Sequence, residues 1–421
     1  MLRLIQRLVA SPRAMRVAGR LSTSLRLWHP EVRRDPYPFY AWLRAQPGLV
    51  RLRLFGGWAA ARYEDVERVL RDPAFSTDRG ALAVMRSARR AARHDPDFLA
   101  LLDHNLLMID GARHRRLRGL VSKAFTPRRV AALRPRVESL VEDLLDRVAA
   151  RGEMDLVRDL AQPLPAIVIA ELLGVPTADR TRFGAWSDEL VELLDPLSGR
   201  EGLDPPRRAM GELGGYLRTL LAERRAAPRD DLLSAMIAAE ESGEMLSEAE
   251  LVVLAALLLA AGHETTTNLI GNAVLLLLRH PGERKRLQDD LALLPGAVEE
   301  CLRFEPPVQL TDRAVVAPTE LAGVRLRPGT IVAAYLAAAN RDPDRFPDPD
   351  RFDVARADSR HLSFGLGAHF CLGAALARLE AEAALGALLR RFPDFDGPTE
   401  PGGWKRSVLL RGPTALPLRL C

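Results

Sequence analysis

Apolar residues recur at helical spacing along most of the chain. From about residue 64 to about residue 296 they return every three or four positions, and prolines such as Pro127 and Pro163 interrupt the pattern. Ahead of this region, the stretch GLVRLRLFGGWAAARYEDV alternates apolar and polar residues around Gly56–Gly57, which predicts a β-hairpin. The pattern therefore predicts a mainly α-helical (α+β) chain with small patches of β-sheet.

One predicted helix is much longer than the others. Ser247 and Glu250 have the spacing of a capping box, and apolar periodicity continues from there to Arg279, before His280–Pro281. That is roughly 33 residues, or about 50 Å of helix. The longest apolar run, residues 251–262, is about a dozen residues and falls short of the roughly 20 that a membrane span needs. We therefore expect a buried core helix and no transmembrane helix.

The last third of the chain alternates short elements with loops. A helix over about residues 295–304 precedes the β-type stretch AVVAPTELAGVRLRPGTIVAAYLA, the proline-rich loop NRDPDRFPDPDRFDVAR and the glycine-rich loop HLSFGLGAHFCLGA. A further helix is predicted from Leu372 to Arg391. No linker or repeat divides residues 28–421, so they are predicted to form a single domain, preceded by a loose basic extension over residues 1–27. A targeting segment or a segment that lies on a membrane surface is the alternative for this extension.

Composition narrows the class of protein. The 421 residues carry a formal net charge of +5, and a hydrophobic content of 48% is ample for a large core. The arginines are scattered and aromatic residues make up only 5%, which argues against a nucleic-acid partner. Three cysteines, Cys301, Cys371 and Cys421, leave no disulfide framework, which indicates a reducing compartment such as the cytoplasm.

The glycine-rich loop places Cys371 just before the last predicted helix. Unpaired N–H groups and the positive end of the helix dipole favour a thiolate there. Gly365 and Gly367 let the backbone turn tightly and approach something flat and large. A shielded thiolate suits an axial haem ligand, while a buried core cysteine remains an alternative. A nucleophile would need a paired base, and His369 is near but has no completing acid.

The middle of the long helix contains the polar stretch AAGHETTTN. Gly262, Glu264 and Thr265 break the apolar run with poor helix formers. Hydroxyl groups there can capture backbone carbonyls and open the helix. An acid and an alcohol at such a position could relay protons, or could be a polar turn that faces a buried water.

Two charged clusters lie elsewhere in the chain. Glu300 and Arg303 are three residues apart on one helical face, and Arg351 in the proline-rich loop could join them in a buried network. His114 and Arg118 are four residues apart and could grip a carboxylate or phosphate. Taken alone, both clusters could also be ordinary surface charge.

Together these stretches resemble the cytochrome P-450 superfamily of haem-thiolate monooxygenases, in its soluble bacterial type. The segment from Phe364 to Cys371 matches the haem loop without a gap, and AGHETT matches the oxygen-activation motif. The resemblance runs from about residue 30 to the end of the chain. It implies a triangular, mostly helical fold with a long central helix over the haem. This sequence departs from the family pattern at IDGARH, where the family often has prolines.

The resemblance also implies roles for individual residues. Cys371 would ligate the haem iron, Thr265 and Glu264 would manage proton delivery, and Gly262 would let the helix open over the haem. Glu300, Arg303 and Arg351 would form a structural triad. His114, Arg118, Arg313 and His369 would hold the haem propionates, and Phe364 would also contact the haem.

An oxygen-inserting enzyme for small apolar substrates follows from this resemblance. It implies one haem b, dioxygen as co-substrate, and electrons from NAD(P)H through the iron–sulfur or flavin centre of a separate ferredoxin or flavodoxin and its reductase. The arginines beside His114, such as Arg113 and Arg116, could dock an acidic ferredoxin. We expect a monomer. A hydrogen-peroxide-driven peroxygenase of the same fold and a non-catalytic haem sensor are the alternatives, and the pair of Glu264 and Thr265 argues against both.

Overall fold

The structure is a computed structural model that describes residues 11–80, 83–191, 204–241 and 244–420. Most of these residues are helical, as the apolar periodicity predicts. The α-helices in chain order are α1 Pro12–Leu21, α2 Pro30–Arg34, α3 Tyr37–Arg44, α4 Tyr63–Arg71, α5 Ala83–Ala91, α6 Pro96–His104, α7 Gly111–Ala124, α8 Pro127–Ala132, α9 Arg134–Ala149, α10 Pro163–Leu172, α11 Arg180–Val191, α12 Asp204–Ala226, α13 Leu232–Ala238, α14 Glu248–Arg279, α15 Pro281–Asp289, α16 Leu294–Phe304, α17 Leu336–Ala339 and α18 Ala374–Arg391.

The β-structure is confined to small sheets. Its strands are β1 Val50–Leu52, β2 Gly57–Ala60, β3 Phe75–Ser76, β4 Glu153–Asp155, β5 Glu240–Glu241, β6 Glu244–Met245, β7 Thr311–Val315, β8 Thr319–Leu321, β9 Val324–Leu326, β10 Ile331–Ala334 and β11 Pro417–Arg419. The largest sheet has the order β1-β2-β10-β7-β3, and the other strands form two-stranded pairs. The predicted hairpin is confirmed, because β1 and β2 are antiparallel with Val50 opposite Ala59.

The predicted long helix is α14, and it lies at the centre of the helical core. The Ser247 hydroxyl accepts from the Glu250 N–H, and the Glu250 carboxylate accepts from the Ser247 N–H, so the capping box is present. Helices α6, α10, α11, α12 and α18 pack against it. By length and composition α14 could cross a membrane, but most of it is buried inside the protein. It is therefore the core helix that the sequence predicts.

The described part of the N-terminal extension is packed on the domain. Met15 in α1 is fully buried, and Leu25 joins it in a core cluster with Phe39, Tyr40 and Leu43. The expectation of a loose extension is therefore wrong for residues 11–27. The reason is physical, since apolar side chains spaced along this segment bury surface against α3 and the large sheet.

Candidate active site

The loop around Cys371 is folded tightly by its glycines. The Cys371 N–H donates to the Phe364 carbonyl at 2.8 Å, and the Phe370 N–H donates to the Gly367 carbonyl at 3.1 Å. Gly365 and Gly367 have φ angles of +68° and +69°, in the left-handed region that other residues rarely adopt. The loop therefore needs glycine at both positions to present the cysteine. Helix α18 begins at Ala374, two residues later than predicted.

The Cys371 thiol is accessible to solvent but surrounded by protein. These two properties fit a thiol at the floor of a recess. Burial raises the pKa of the Cys371 thiol, while the N–H of Gly373 and the guanidinium groups of Arg118 and Arg378 oppose that rise. All three opposing groups stabilise a thiolate, which is the form that binds a metal.

Aromatic rings support the same loop. Phe364 packs edge-to-face on Phe370, with ring centroids 6.2 Å apart. The Arg378 guanidinium lies 4.5 Å from the centre of the Phe364 ring. Phe364 thus helps to fix the loop backbone on α18, and its phenyl group also belongs to the wall of the core.

The structure brings the four predicted propionate residues together near the loop. The His114 and His369 rings lie 4.0 Å apart. Arg118 donates to the Phe370 carbonyl at 2.7 Å, which places its guanidinium beside the residue that precedes Cys371. Burial, with His114 and Arg313 close by, lowers the pKa of His369 to about 4.

Arg313, the fourth, is buried in β7. It donates to the Thr311 hydroxyl at 3.1 Å and to the Asp312 carbonyl at 2.9 Å. Among the described residues, no carboxylate forms an ion pair with it within 4.0 Å. A buried guanidinium without a direct anionic partner fits the carboxylate of a haem propionate.

Sequence reasoning missed Asp110, which links these groups. Its carboxylate accepts from the Ser76 hydroxyl at 2.9 Å and lies 3.6 Å from His369 Nε2. One carboxylate oxygen of Asp110 and one ring nitrogen each of His114 and His369 lie within 4.8 Å of one another. The usable signal was its position directly before Gly111, where it caps the helix that carries His114.

The polar turn of α14 is folded as an unbroken helix. The Thr265 hydroxyl donates to the Ala261 carbonyl at 2.7 Å, and the Thr267 hydroxyl donates to the His263 carbonyl at 3.0 Å. The predicted capture of carbonyls is therefore confirmed, but the predicted opening of the helix at Gly262 is wrong. The reason is that each threonine bonds a carbonyl of its own helix four residues back, which leaves the helical ladder in place.

One stripe of α14 is less buried than the rest of the helix. Between residues 251 and 278 every position is buried except Leu257, Leu258, Ala261, Gly262 and Thr265. These positions share one helical face. The stripe is apolar along its length and ends in a hydroxyl group, so it can line a pocket for a flat cofactor and an apolar molecule.

Glu264 lies beside this stripe and is held by a residue that the sequence did not indicate. Lys405, from the segment that precedes β11, forms an ion pair with the Glu264 carboxylate. The two residues are 141 positions apart in sequence, so no local pattern predicts the contact.

The charged triad is present with one residue changed. Arg303 donates from Nε and Nη2 to both oxygens of the fully buried Glu300, at 2.7 and 2.9 Å. The third member is Arg356, whose Nε lies 3.1 Å from Glu300. The assignment of Arg351 is wrong, because its side chain is 63% exposed and only its backbone carbonyl contacts Arg303. Both arginines lie in the same loop, and the loop fold decides which one turns inward.

This set of groups fits a haem held through a thiolate and through its two propionates. The fold and the site together define a haem-thiolate protein. A family model described as "Cytochrome P450" (here written P-450) matches residues 207–396. "Cytochrome P-450 107B1" of Saccharopolyspora erythraea is 45% identical over 91% of this chain and 95% of its own length. "Cytochrome P-450 monooxygenase PikC" of Streptomyces venezuelae is 45% identical over 91% of both chains.

A solved structure of myxobacterial cytochrome P-450 CYP267B1 in complex with myristic acid gives the same result. It superposes with a TM-score of 0.85 and 44% identity, over 94% of this chain and 99% of the other. The chain belongs to the cytochrome P-450 family and is a P-450 monooxygenase. The family implies haem as its prosthetic group.

Proposed function

We propose that this protein hydroxylates or epoxidises a small apolar molecule, using dioxygen and electrons from a separate ferredoxin or flavodoxin. The observation that carries the proposal is the partly exposed stripe of α14. Four of its five residues have no polar side chain, and the fifth is Thr265. A pocket wall of this kind recognises apolar surface and places one hydroxyl group where chemistry occurs.

Cys371 and the four basic side chains would hold the prosthetic group. Cys371 Sγ would ligate the iron, and His114, Arg118, Arg313 and His369 would bind the propionates. When bound, the haem supplies the activation of dioxygen through its iron. The protein supplies the thiolate and the four basic side chains, and it would exclude bulk water from the pocket.

Thr265 and Glu264 would handle protons on the α14 side of the proposed pocket. The Thr265 hydroxyl donates its proton to the Ala261 carbonyl. The Thr265 hydroxyl oxygen is therefore free to accept a hydrogen bond from a group in the pocket. The Glu264 carboxylate, next to it on α14, can take up a proton from water and pass it on. The pair thus favours reductive activation of oxygen over a peroxide-driven reaction.

The relatives indicate the class of substrate. One curated relative is named 6-deoxyerythronolide B hydroxylase and is 40% identical, and another is named vitamin D(3) 25-hydroxylase and is 42% identical. The CYP267B1 structure holds a fatty acid. We propose a substrate of macrolide, steroid or fatty-acid type, since all three present extended apolar surface to a wall of this composition.

The surface near Cys371 offers a docking site for an acidic redox partner. Arg113 and Arg115 are exposed on α7. Arg116 is directed elsewhere, because it forms an ion pair with the Glu250 carboxylate at the start of α14. We therefore propose docking through Arg113 and Arg115, and Arg116 drops out of the predicted surface.

An absorbance titration tests the proposed function. Ferric protein is titrated with a panel of fatty acids, steroids and macrolactones. Mixtures that show a spin-state shift are then supplied with NADPH, a ferredoxin and its reductase. We expect a thiolate-type haem spectrum, a low-to-high-spin shift with one class, and an oxygenated product that hydrogen peroxide alone does not give. Absence of a thiolate-type spectrum in folded, haem-supplied protein would overturn the proposal.

A further inference from the structure

We propose that Lys405 is a positioning residue for proton delivery, because it holds the Glu264 carboxylate from the C-terminal segment of the chain. The inference rests on the proposed function for the role of Glu264. It assigns a further residue, outside every motif of the sequence, to the oxygen-side machinery.

The contact between Lys405 and Glu264 is enclosed. The Glu264 side chain is buried and that of Lys405 is mostly buried. Among the described residues, Lys405 is the basic side chain that pairs with this carboxylate within 4.0 Å. An ion pair shielded from water is stronger than one at the surface, so it can fix the direction of the carboxylate.

Lys405 is held rigidly at its backbone. Its N–H donates to the Gly412 carbonyl at 3.0 Å, and its carbonyl accepts from Arg33 at 3.1 Å. The Thr414 N–H donates to the Gly403 carbonyl at 2.8 Å, which closes residues 403–414 into a hairpin-like segment. We call residues 403–414 the C-terminal clamp. A lysine whose backbone is already fixed loses less conformational entropy when its side chain is held in an ion pair.

The C-terminal clamp covers one face of α14 over two turns. Glu264, Asn268 and Asn272 are four residues apart and share that face. Asn272 donates to the Arg411 carbonyl at 3.0 Å. A side chain added at Gly412 would place its Cβ 2.2 Å from Asn268 Oδ1, so the clamp can approach only with glycine there. The Lys405–Glu264 contact is therefore one end of a continuous interface.

The clamp is anchored at its other end by a second buried ion pair. Arg411 donates from Nε to Glu305 at 2.8 Å and stacks on the Trp404 ring, with the guanidinium carbon 3.5 Å from the ring centre. Trp404 directly precedes Lys405. These contacts with the core therefore fix the position of the clamp, and with it the position of Lys405.

The neighbouring side of α14 carries a separate polar contact. His263 is buried, and its Nδ1 lies 3.2 Å from the Ser187 hydroxyl and 3.9 Å from Asp188, both in α11. Burial raises the pKa of Asp188, with Glu264 adding to the rise and Lys405 opposing it. His263 therefore packs against α11, and Lys405 is the group that acts directly on Glu264.

The first test detects the contact between Lys405 and Glu264 without requiring turnover. Lysine occurs at positions 123, 285 and 405 and nowhere else, so protein labelled with 13C at the lysine side chains gives one signal for each. The haem-loaded ferrous carbon-monoxide complex is used. We expect Glu264→Gln to shift the signal that Lys405→Met removes, and to leave the other two in place. An unshifted Lys405 signal would overturn the proposal.

The second test reads proton delivery. Oxygen consumption with NADPH, a plant-type ferredoxin and its reductase is measured in H2O and D2O, with myristic acid as the probe. We expect Lys405→Met to slow consumption by about tenfold and to raise the solvent isotope effect, because a misdirected carboxylate delivers protons slowly. Lys405→Arg should restore both values, since it keeps the charge.

The controls separate this role from a structural one. Lys285→Met removes an exposed lysine on α15 and should match the wild type. Reduction of the ferric protein under carbon monoxide, which needs no proton, should be unchanged in Lys405→Met. A wild-type rate and isotope effect in that variant would sink the positioning role. Wild-type protein without a thiolate-type haem spectrum would instead contradict the proposed function, while the lysine signals would still report the contact.

Discussion

Arg356 Nε lies 3.1 Å from Glu300 Oε1, and Arg356 also donates to the carbonyls of Pro347 and Arg351 at 2.9 and 2.8 Å. One guanidinium thus joins the buried acid of α16 to the proline-rich loop ahead of the cysteine loop. Because Glu300 also accepts from the Asp353 N–H at 3.1 Å, its carboxylate organises the loop from inside.

Replacing this guanidinium should destabilise the protein. We expect Arg356→Leu to lower the free energy of unfolding by about 2 kcal/mol, because hydrogen bonds from a charged donor are lost and loop carbonyls lose their partner. Arg351→Leu is the matched control in the same loop and should stay within about 0.5 kcal/mol of the wild type. Urea unfolding followed by circular dichroism measures both. An equal loss of unfolding free energy in the two variants would mean that Arg351 also belongs to the triad.

Glu380 should make stability fall as pH rises. It is buried in α18, burial raises the pKa of its carboxyl well above the usual range, and Oε2 has no hydrogen-bond partner among the described residues. The folded state keeps the proton while the unfolded state releases it above about pH 4.5, so each further pH unit costs about 1.4 kcal/mol until the folded group also ionises. Glu380→Gln should remove this dependence and be more stable than the wild type at neutral pH.

Urea unfolding of both proteins at about pH 6 and about pH 8 measures the effect. The difference in free energy between variant and wild type should grow with pH. A difference that does not change with pH would mean that Glu380 is ionised in the folded protein.

Glu299 should contribute stability that is lost in acid. Burial raises the pKa of its carboxyl, but the His361 ring, whose Nε2 lies 3.4 Å from Oε2, and the Arg378 guanidinium outweigh this and lower the pKa from 4.5 to about 2. Arg378 binds both carboxylate oxygens, at 2.6 and 2.9 Å, and joins α16 to α18. Since the folded pKa is depressed, the contribution is complete above about pH 4.5 and disappears as the pH falls toward 2.

Glu299→Gln isolates this contribution. We expect it to cost about 2 kcal/mol at neutral pH, a value reduced for the partial exposure of the pair. Unfolding curves recorded by circular dichroism across the acid range should converge with those of the wild type as the pH falls. Curves that stay parallel would assign the acid sensitivity to other carboxylates.

Arg313 should govern how firmly the prosthetic group is retained. We expect Arg313→Leu to speed the transfer of haem to apomyoglobin by about tenfold, because a buried cation no longer meets a propionate. Arg325→Leu, on β9 with a side chain 93% exposed, is the matched control and should not change the transfer rate. Absorbance in the haem band follows the transfer. Equal rates in wild type and Arg313→Leu would place the propionates elsewhere.

The sequence by itself determined the elements whose cause is local. Ser247 and Glu250 start α14 because a capping box satisfies N–H groups within one turn, and the apolar periodicity carries the helix to Arg279. The tight loop at Gly365 and Gly367 follows from the freedom of glycine at positive φ. The family resemblance then supplied the site residues, and the structure gathers His114 and His369 near Cys371.

Only the tertiary structure decided contacts between distant segments. The choice of Arg356 over Arg351 depends on how one loop folds against Glu300, and the pairing of Lys405 with Glu264 crosses 141 positions. The burial of Met15 likewise needs the surface of another element. Such contacts are set by packing of complete elements, where burial and charge compensation across the fold outweigh any preference encoded along a few residues.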